Sequence, residues 1–168
     1  MRARAARAGD AAAVTAIYNA GIRERTSTLE TREREPHEIA ERIASERHPF
    51  LVAELDGRVG GFAATSSYSE RAVYAGVAEC SVYVDPGLRG RGVGTALLEA
   101  LAEAAARRGF HKLVGRLFAE NEASARLVAR GGFRTVGTHQ RHGRLDGEWR
   151  DVVVVERSLA VSAGERQR

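Results

Sequence analysis

Apolar positions along this chain change period several times, and each change marks an element. Asp10 suits a helix N-cap, and Val14, Ile17, Tyr18 and Ile22 then recur at helical spacing. A loop from Thr26 to Glu35 follows. Pro36 fits the first turn of a second helix, on which Ile39 and Ile43 share a face, and Pro49 closes that region. Phe50 to Leu55 reads as a strand, Asp56-Gly57 as a tight turn and Arg58 to Ser67 as the hairpin partner. Val73 to Val84 reads as one long strand. A Gly-rich loop then leads into a helix, Val93 to Arg108, with Leu97, Leu101 and Ala104 on its buried stripe and Gly109 as its C-cap. Lys112 to Phe118 is a strand, and Glu122 to Arg130 a helix stopped by Gly131-Gly132. Arg134 to Gln140 and Trp149 to Arg157 are the last strands, and Arg2 to Arg7 an edge strand at the start. With no internal repeat and no linker, the pattern predicts one α/β domain over residues 1–159 and a polar, frayed tail over 160–168.

Composition narrows the class. The 168 residues suit one domain, and 43% hydrophobic with 29% charged residues suit a soluble core-forming chain. No apolar run approaches the roughly 20 residues of a membrane span. Cys80 is the single cysteine, which excludes an internal disulfide and a multi-cysteine metal site and fits a reducing cytoplasm. The net charge of +4 would suit either nucleic acid or a phosphorylated cofactor. The arginines alternate with glutamates, as in Arg32-Glu33-Arg34-Glu35, and no basic run interleaves with aromatics, so nucleic acid and membrane are not expected partners.

Two neighbouring segments carry the candidate chemistry. In the strand ending at Val84, alternation sets Val77, Glu79, Ser81 and Tyr83 on one face and Ala78, Cys80, Val82 and Val84 on the other. A mid-strand glutamate among apolar neighbours is unusual, and burial would raise its pKa toward general-base work. The strand by itself favours the plainer reading, half of a structural ion pair with Arg71 or another basic residue. Cys80 faces away and reads as core. Next, Asp85 to Thr95 places Arg89, Gly90, Arg91, Gly92, Val93, Gly94 and Thr95 between that strand and a helix. Glycines let backbone amides approach a ligand, and a helix N-terminus adds unpaired donors and positive dipole, which together suit a pyrophosphate. The spacing is neither that of a nucleoside triphosphate loop nor that of a dinucleotide fingerprint.

Arg89-x-x-Gly92-x-Gly94 between a strand and a helix resembles the acetyl-CoA signature of the GCN5-related N-acetyltransferase (GNAT) superfamily, and the element order is similar from Arg2 to Leu159. Ile17 to Ile22, Arg71-Ala72-Val73-Tyr74, Glu79 to Val84 and Gly147 to Asp151 resemble the phosphinothricin acetyltransferases. Lys112-Leu113-Val114, Glu120 to Ser124 and His142 to Gly147 resemble their arsinothricin-acetylating relatives.

The resemblance implies a mixed sheet of about seven strands with four helices, whose central parallel strands, ending at Val84 and near Phe118, splay apart. It implies acetyl-CoA as co-substrate and no metal. The pantetheine arm would lie along Val82, Tyr83 and Val84, the pyrophosphate on Arg89 to Thr95, and Asn121 near the thiol end, where it is also a good helix N-cap. Glu79 matches the family's catalytic base, needed because only an unprotonated amine attacks a thioester. Arg71, Tyr74, Thr28 and Leu29 match positions lining the substrate pocket, with Leu29 where relatives carry an aromatic. A small acidic amino-acid-like amine is the expected substrate and a homodimer the expected assembly. His139 and His142 flank the last hairpin within reach of the pocket. Val128 stands where relatives place a tyrosine or histidine, so no general acid is assigned. Acetylation of a protein N-terminus or lysine, and a non-catalytic acyl-CoA sensor, are the competing readings.

Overall fold

A computed structural model describes residues 1–160, so the expected polar tail lies outside the described residues apart from its first residue. The strands are β1 (Arg2–Ala5), β2 (Phe50–Leu55), β3 (Arg58–Ser67), β4 (Val77–Val84), β5 (Lys112–Phe118), β6 (Arg134–Leu145) and β7 (Glu148–Ser158). They form one seven-stranded sheet in the order β1-β2-β3-β4-β5-β7-β6. Only β4 and β5 run parallel; the other pairs are antiparallel. The α-helices are α1 (Ala11–Glu24), α2 (Pro36–Ile43), α3 (Val93–Arg107) and α4 (Glu122–Arg130).

Helices cover both faces. Val14, Ile17, Tyr18 and Ile22 of α1 and Ile39 of α2 pack on Phe50, Val52 and Phe62. The Phe62 ring stacks on Tyr83 at 5.3 Å, which ties this cluster to β4. On the other face Leu97, Leu98 and Leu101 of α3 are fully buried, each contributing roughly 1.5–3 kcal/mol by leaving water. Leu98 joins the buried stripe that the spacing assigned to Leu97, Leu101 and Ala104, and Ala104 is only partly buried.

Three expectations need correction. The strand expected from Val73 begins at Val77, because Ala72–Tyr74 form a 3-10 turn closed by Tyr74 N–H on Arg71 O at 3.0 Å. Val73 is 83% exposed, so nothing there rewards extended pairing despite its β-propensity. The strand expected to stop at Gln140 runs to Leu145. Asp146 and Gly147, with φ of 50° and 83°, form a primed hairpin turn, and Arg141 at φ 48° marks an irregularity that lets β6 continue. Asp10 holds the N-cap position of α1 without capping it; its carboxylate accepts from Arg4 (2.7 and 3.0 Å) and from Arg7 N–H (2.8 Å).

The feature that positions the site is the end of the β4–β5 ladder. Val77, Ala78 and Glu79 pair with Lys112, Leu113 and Val114, and there the pairing stops. Strand β4 continues on β3 as far as Val84, while β5 continues on β7 as far as Phe118. The two strands splay, and a crevice of about 90 Å³ opens between them, lined by Cys80, Val82, Gly115, Leu117, Leu127 and Val128 among others.

Candidate active site

From Cys80 to Val84, β4 has a strand partner on its β3 side only. Backbone groups facing the fork are free for a ligand to complete the sheet, much as an added strand would. A cleft of about 480 Å³ begins there, lined by Val82, Tyr83, Val84, Arg89, Gly90, Val93, Gly94, Thr95 and Asn121, nine of the residues expected to hold the cofactor. Arg91 and Gly92 do not line it.

The glycines of this loop do different work. Gly90 and Gly92 sit at φ 74° and 81°, and a Cβ on either would meet nothing within 4 Å, so backbone conformation demands them. Gly92 is the N-cap of α3 and offers no capping side chain, which leaves the first amides of the helix for an anion. Gly94 is demanded by packing: a Cβ there would stand 3.1 Å from Leu127 Cδ2, so its absence lets α4 close against α3. Arg89 is not a free anion ligand. Its guanidinium bonds Glu24 at 2.8 Å and Val84 O at 3.4 Å. Arg126 and Arg130, one turn apart on α4, also line the cleft. The sequence reading missed both, although their i,i+4 spacing after Asn121 was visible.

Asn121 serves as a cap and a strut. Its side-chain oxygen accepts from Ser124 N–H at 3.0 Å, and its amide donates to Thr26 O at 3.1 Å. Val128 packs partly buried against the core and walls the crevice, so it offers no proton. Cys80 faces the α3 side, as alternation required, and desolvation there pushes its thiol up to about 12. Burial likewise raises the Tyr83 phenol well above its ordinary value.

Glu79 is the last β4 residue paired with β5, so its side chain stands at the fork. It is not buried as deeply as the sequence reading expected: 31% of the side chain is exposed. Its partner is Arg116 of β5, whose Nη1 donates to Glu79 Oε1. Arg116 follows Val114, the register partner of Glu79, by two residues and shares its face, a diagonal within reach of a long side chain. An ion pair exposed to this degree contributes about 0–1 kcal/mol to stability. Arg71, named above as a possible partner, is exposed in the β3–β4 loop and makes no ion pair among the described residues; its N–H donates to Ser69 Oγ at 3.2 Å. Arg116 was missed because only the parallel register sets it beside Glu79.

The other expected pocket residues divide between two places. Tyr74 packs edge-on against Tyr68 at 5.6 Å in the β3–β4 loop. Thr28 accepts from Glu30 N–H at 3.1 Å, and Leu29 lies over Gly143 of β6. None of Thr28, Leu29, Arg71 and Tyr74 lines the 480 Å³ cleft. His139 and His142 stack on each other at 4.2 Å and are exposed.

A splayed parallel pair beside an uncapped helix N-terminus is an arrangement suited to an acyl-CoA donor. The chain belongs to the acetyltransferase (GNAT) family, whose model matches residues 14–133, and it is an N-acetyltransferase. It is 37% identical to phosphinothricin N-acetyltransferase of Streptomyces coelicolor over 152 residues, 87% of this chain and 89% of that one. The structure of a phosphinothricin acetyltransferase from Sinorhizobium meliloti in complex with acetyl-CoA superposes with a TM-score of 0.90 at 27% identity, covering 99% of this chain and 92% of the other. Ribosomal-protein-alanine N-acetyltransferase from Brucella melitensis superposes with a TM-score of 0.90 at 31% identity, covering 95% and 100%. Acetyl-CoA is the donor, and the residues present fit it: the uncapped α3 amides, the glycine turn and the arginine-lined cleft suit its phosphates, and the one-sided β4 backbone suits its arm.

Proposed function

We propose that this enzyme acetylates the α-amine of a small acidic amino-acid-like molecule of the phosphinothricin, arsinothricin or methionine sulfoximine type, with Glu79 as general base. The observation that carries the reading is the place of Glu79, at the fork where β4 loses its β5 partner. Acetyl-CoA supplies an acetyl thioester. An α-amino group has a pKa of about 8 in a peptide and somewhat higher in a free amino acid, so near neutral pH it arrives as ammonium. Glu79 takes that proton, directly or through a water, and the nitrogen lone pair attacks the thioester carbonyl. Backbone N–H near Val82 stabilises the developing oxyanion. The carbon–sulfur bond then breaks, and the second proton of the nitrogen passes through water to the departing thiolate, since Val128 supplies none. No acyl-enzyme forms, and Cys80 is turned away.

Arg71 is assigned to an oxyanion on the substrate side chain, with Tyr74, Thr28 and Leu29 as walls. A homodimer belongs to the same proposal: β6 is an edge strand exposed along nearly its whole length, with Val136 51% and Trp149 of β7 48% exposed, a surface a second copy would cover. The site of action is the cytoplasm, where acetyl-CoA and free amino acids meet. The likeness to ribosomal-protein-alanine N-acetyltransferase favours one competing reading, acetylation of a protein N-terminus.

The test is acetyl-CoA turnover against phosphinothricin, arsinothricin, methionine sulfoximine and a peptide panel, repeated with Glu79→Gln. Loss of a positioned base lowers kcat about 10²–10⁴-fold, and the loss shrinks as pH rises and the amine deprotonates unaided. Acetyl-CoA affinity stays near that of the parent. A Glu79→Gln enzyme with parent kcat at pH 7, where chemistry limits turnover, would leave Glu79 a structural carboxylate. Turnover of peptides alone would move the function to protein acetylation.

A further inference from the structure

We infer that the Arg116–Glu79 ion pair is a receptor for the zwitterionic end of a free α-amino acid, with Glu79 taking the ammonium and Arg116 the carboxylate. This rests on the reading of Glu79 as the base and adds the residue that selects the substrate's class.

The argument starts from what Arg116 lacks. Its contact with Glu79 runs through one nitrogen and one carboxylate oxygen, and no other hydrogen bond holds the guanidinium among the described residues. A guanidinium carries five N–H donors in a fixed fork suited to a carboxylate, so most of its capacity is unspent. Both side chains are reachable, at 44% exposed for Arg116 and 31% for Glu79. Strand alternation places both on the face opposite Cys80 and Val82, away from the α3 cluster, with the fork beside them. Arg116 is therefore an accessible cation, lightly held at the candidate base.

Charge conservation makes the exchange inexpensive. An α-amino acid carries its ammonium and carboxylate on one carbon. Inserted between Glu79 and Arg116, it replaces one ion pair by two and leaves no charge unpartnered. A neutral amine or an amine lacking the adjacent carboxylate breaks the same pair and leaves Arg116 without an anion. A protein N-terminus is such a ligand, because its α-carboxyl is locked in the next peptide bond. The device favours free amino acids over peptides, and it brings the ammonium to Glu79 in the same step that releases Glu79 from Arg116. One ammonium proton then passes to Glu79, the lone pair forms the new carbon–nitrogen bond, the carbon–sulfur bond breaks, and the nitrogen's second proton passes through water to the departing thiolate. Arg71, in a separate loop, remains for the side-chain oxyanion.

The experiment uses the full-length enzyme with CoA bound and measures, by calorimetry, binding of methionine sulfoximine and of its α-carboxamide to the parent, Arg116→Gln and Arg116→Lys. Turnover of both compounds is measured in parallel. The parent should bind the acid more tightly than the amide. Arg116→Gln should weaken the acid about 10–150-fold, the loss expected of a charged hydrogen bond, while the amide changes little. Arg116→Lys should restore part of the preference, and acetyl-CoA affinity should be unchanged in all three. Equal weakening of acid and amide, or no weakening of either, overturns the proposal, as does a parent that binds the acid no better than the amide. Because binding is read directly, an Arg116 result stands even if Glu79→Gln shows that another group is the base. An acid preference that Arg116→Gln leaves intact removes Arg116 and spares the base.

Discussion

The side-chain amide of Asn121 donates to the carbonyl of Thr26 across 95 residues of sequence, at 3.1 Å. One bond thereby joins the loop after α1 to the N-cap of α4, and both segments line the 480 Å³ cleft. The same side chain caps α4 through Ser124 N–H. Its two halves therefore do separable work. Asn121→Ala should lose both, with a stability cost of about 1 kcal/mol from the cap alone. Asn121→Asp keeps the acceptor and loses the donor, so it should remain closer to the parent in thermal unfolding yet weaken acetyl-CoA. Equal losses of stability in the two variants would mean that the strut, not the cap, holds this corner.

Gly92→Asp should weaken acetyl-CoA before any amine is present, as read by calorimetry. The residue sits at φ 81°, where an L side chain is strained, and a carboxylate there faces the uncapped amides meant for phosphate. Unchanged affinity would remove this helix end from the account of the donor site.

Leu29 and Gly143 should behave as one unit. A Cβ on Gly143 would stand 2.4 Å from Leu29 Cδ1, so Gly143→Ala must push Leu29 aside. Leu29→Phe should likewise change the ranking of two amine substrates that differ in bulk. Combining Gly143→Ala with Leu29→Ala should restore much of what the first change alone disturbs. Kinetic constants for the two amines test this, and an unaltered ranking in every variant takes Leu29 out of the pocket wall.

Asp10 should make stability fall in acid. The hydrogen bonds from Arg4 hold its carboxyl below the usual range, helped by Arg7 N–H. A depressed folded pKa contributes stability that is fully present above the unfolded value near 3.9 and is lost as pH falls through the folded one. Asp10→Asn should cost about 1–3 kcal/mol at pH 7. Chemical denaturation at pH 7 and at pH 2–3 should show the gap between parent and variant narrowing in acid. A gap constant across that range would mean that the Arg4–Asp10 pair adds nothing through its charge.

Much of this protein was determined by sequence alone. Hydrophobic period placed β2, β3, β5 and α4 at their observed limits, because each is bounded by local turn or cap chemistry: Asp56-Gly57, Asn121 and Gly131 act within a few residues. The loop from Arg89 to Thr95 was legible for the same reason, since glycines and a helix start declare themselves locally. Alternation correctly turned Glu79 and Cys80 to opposite faces. The sequence misjudged elements whose fate depends on distant partners. Val73 and Tyr74 carry strand propensity but find no strand beside them, whereas β6 extends past Gln140 because β7 is there to receive it. The site divides along the same line. A carboxylate in a strand can be seen in one dimension, but its partner cannot. Arg116 lies 37 residues from Glu79 and meets it only because β4 and β5 run parallel for three residue pairs and then part. Local chemistry fixes turns, caps and faces, while the register between strands, a cooperative property of the whole sheet, decides which charges meet.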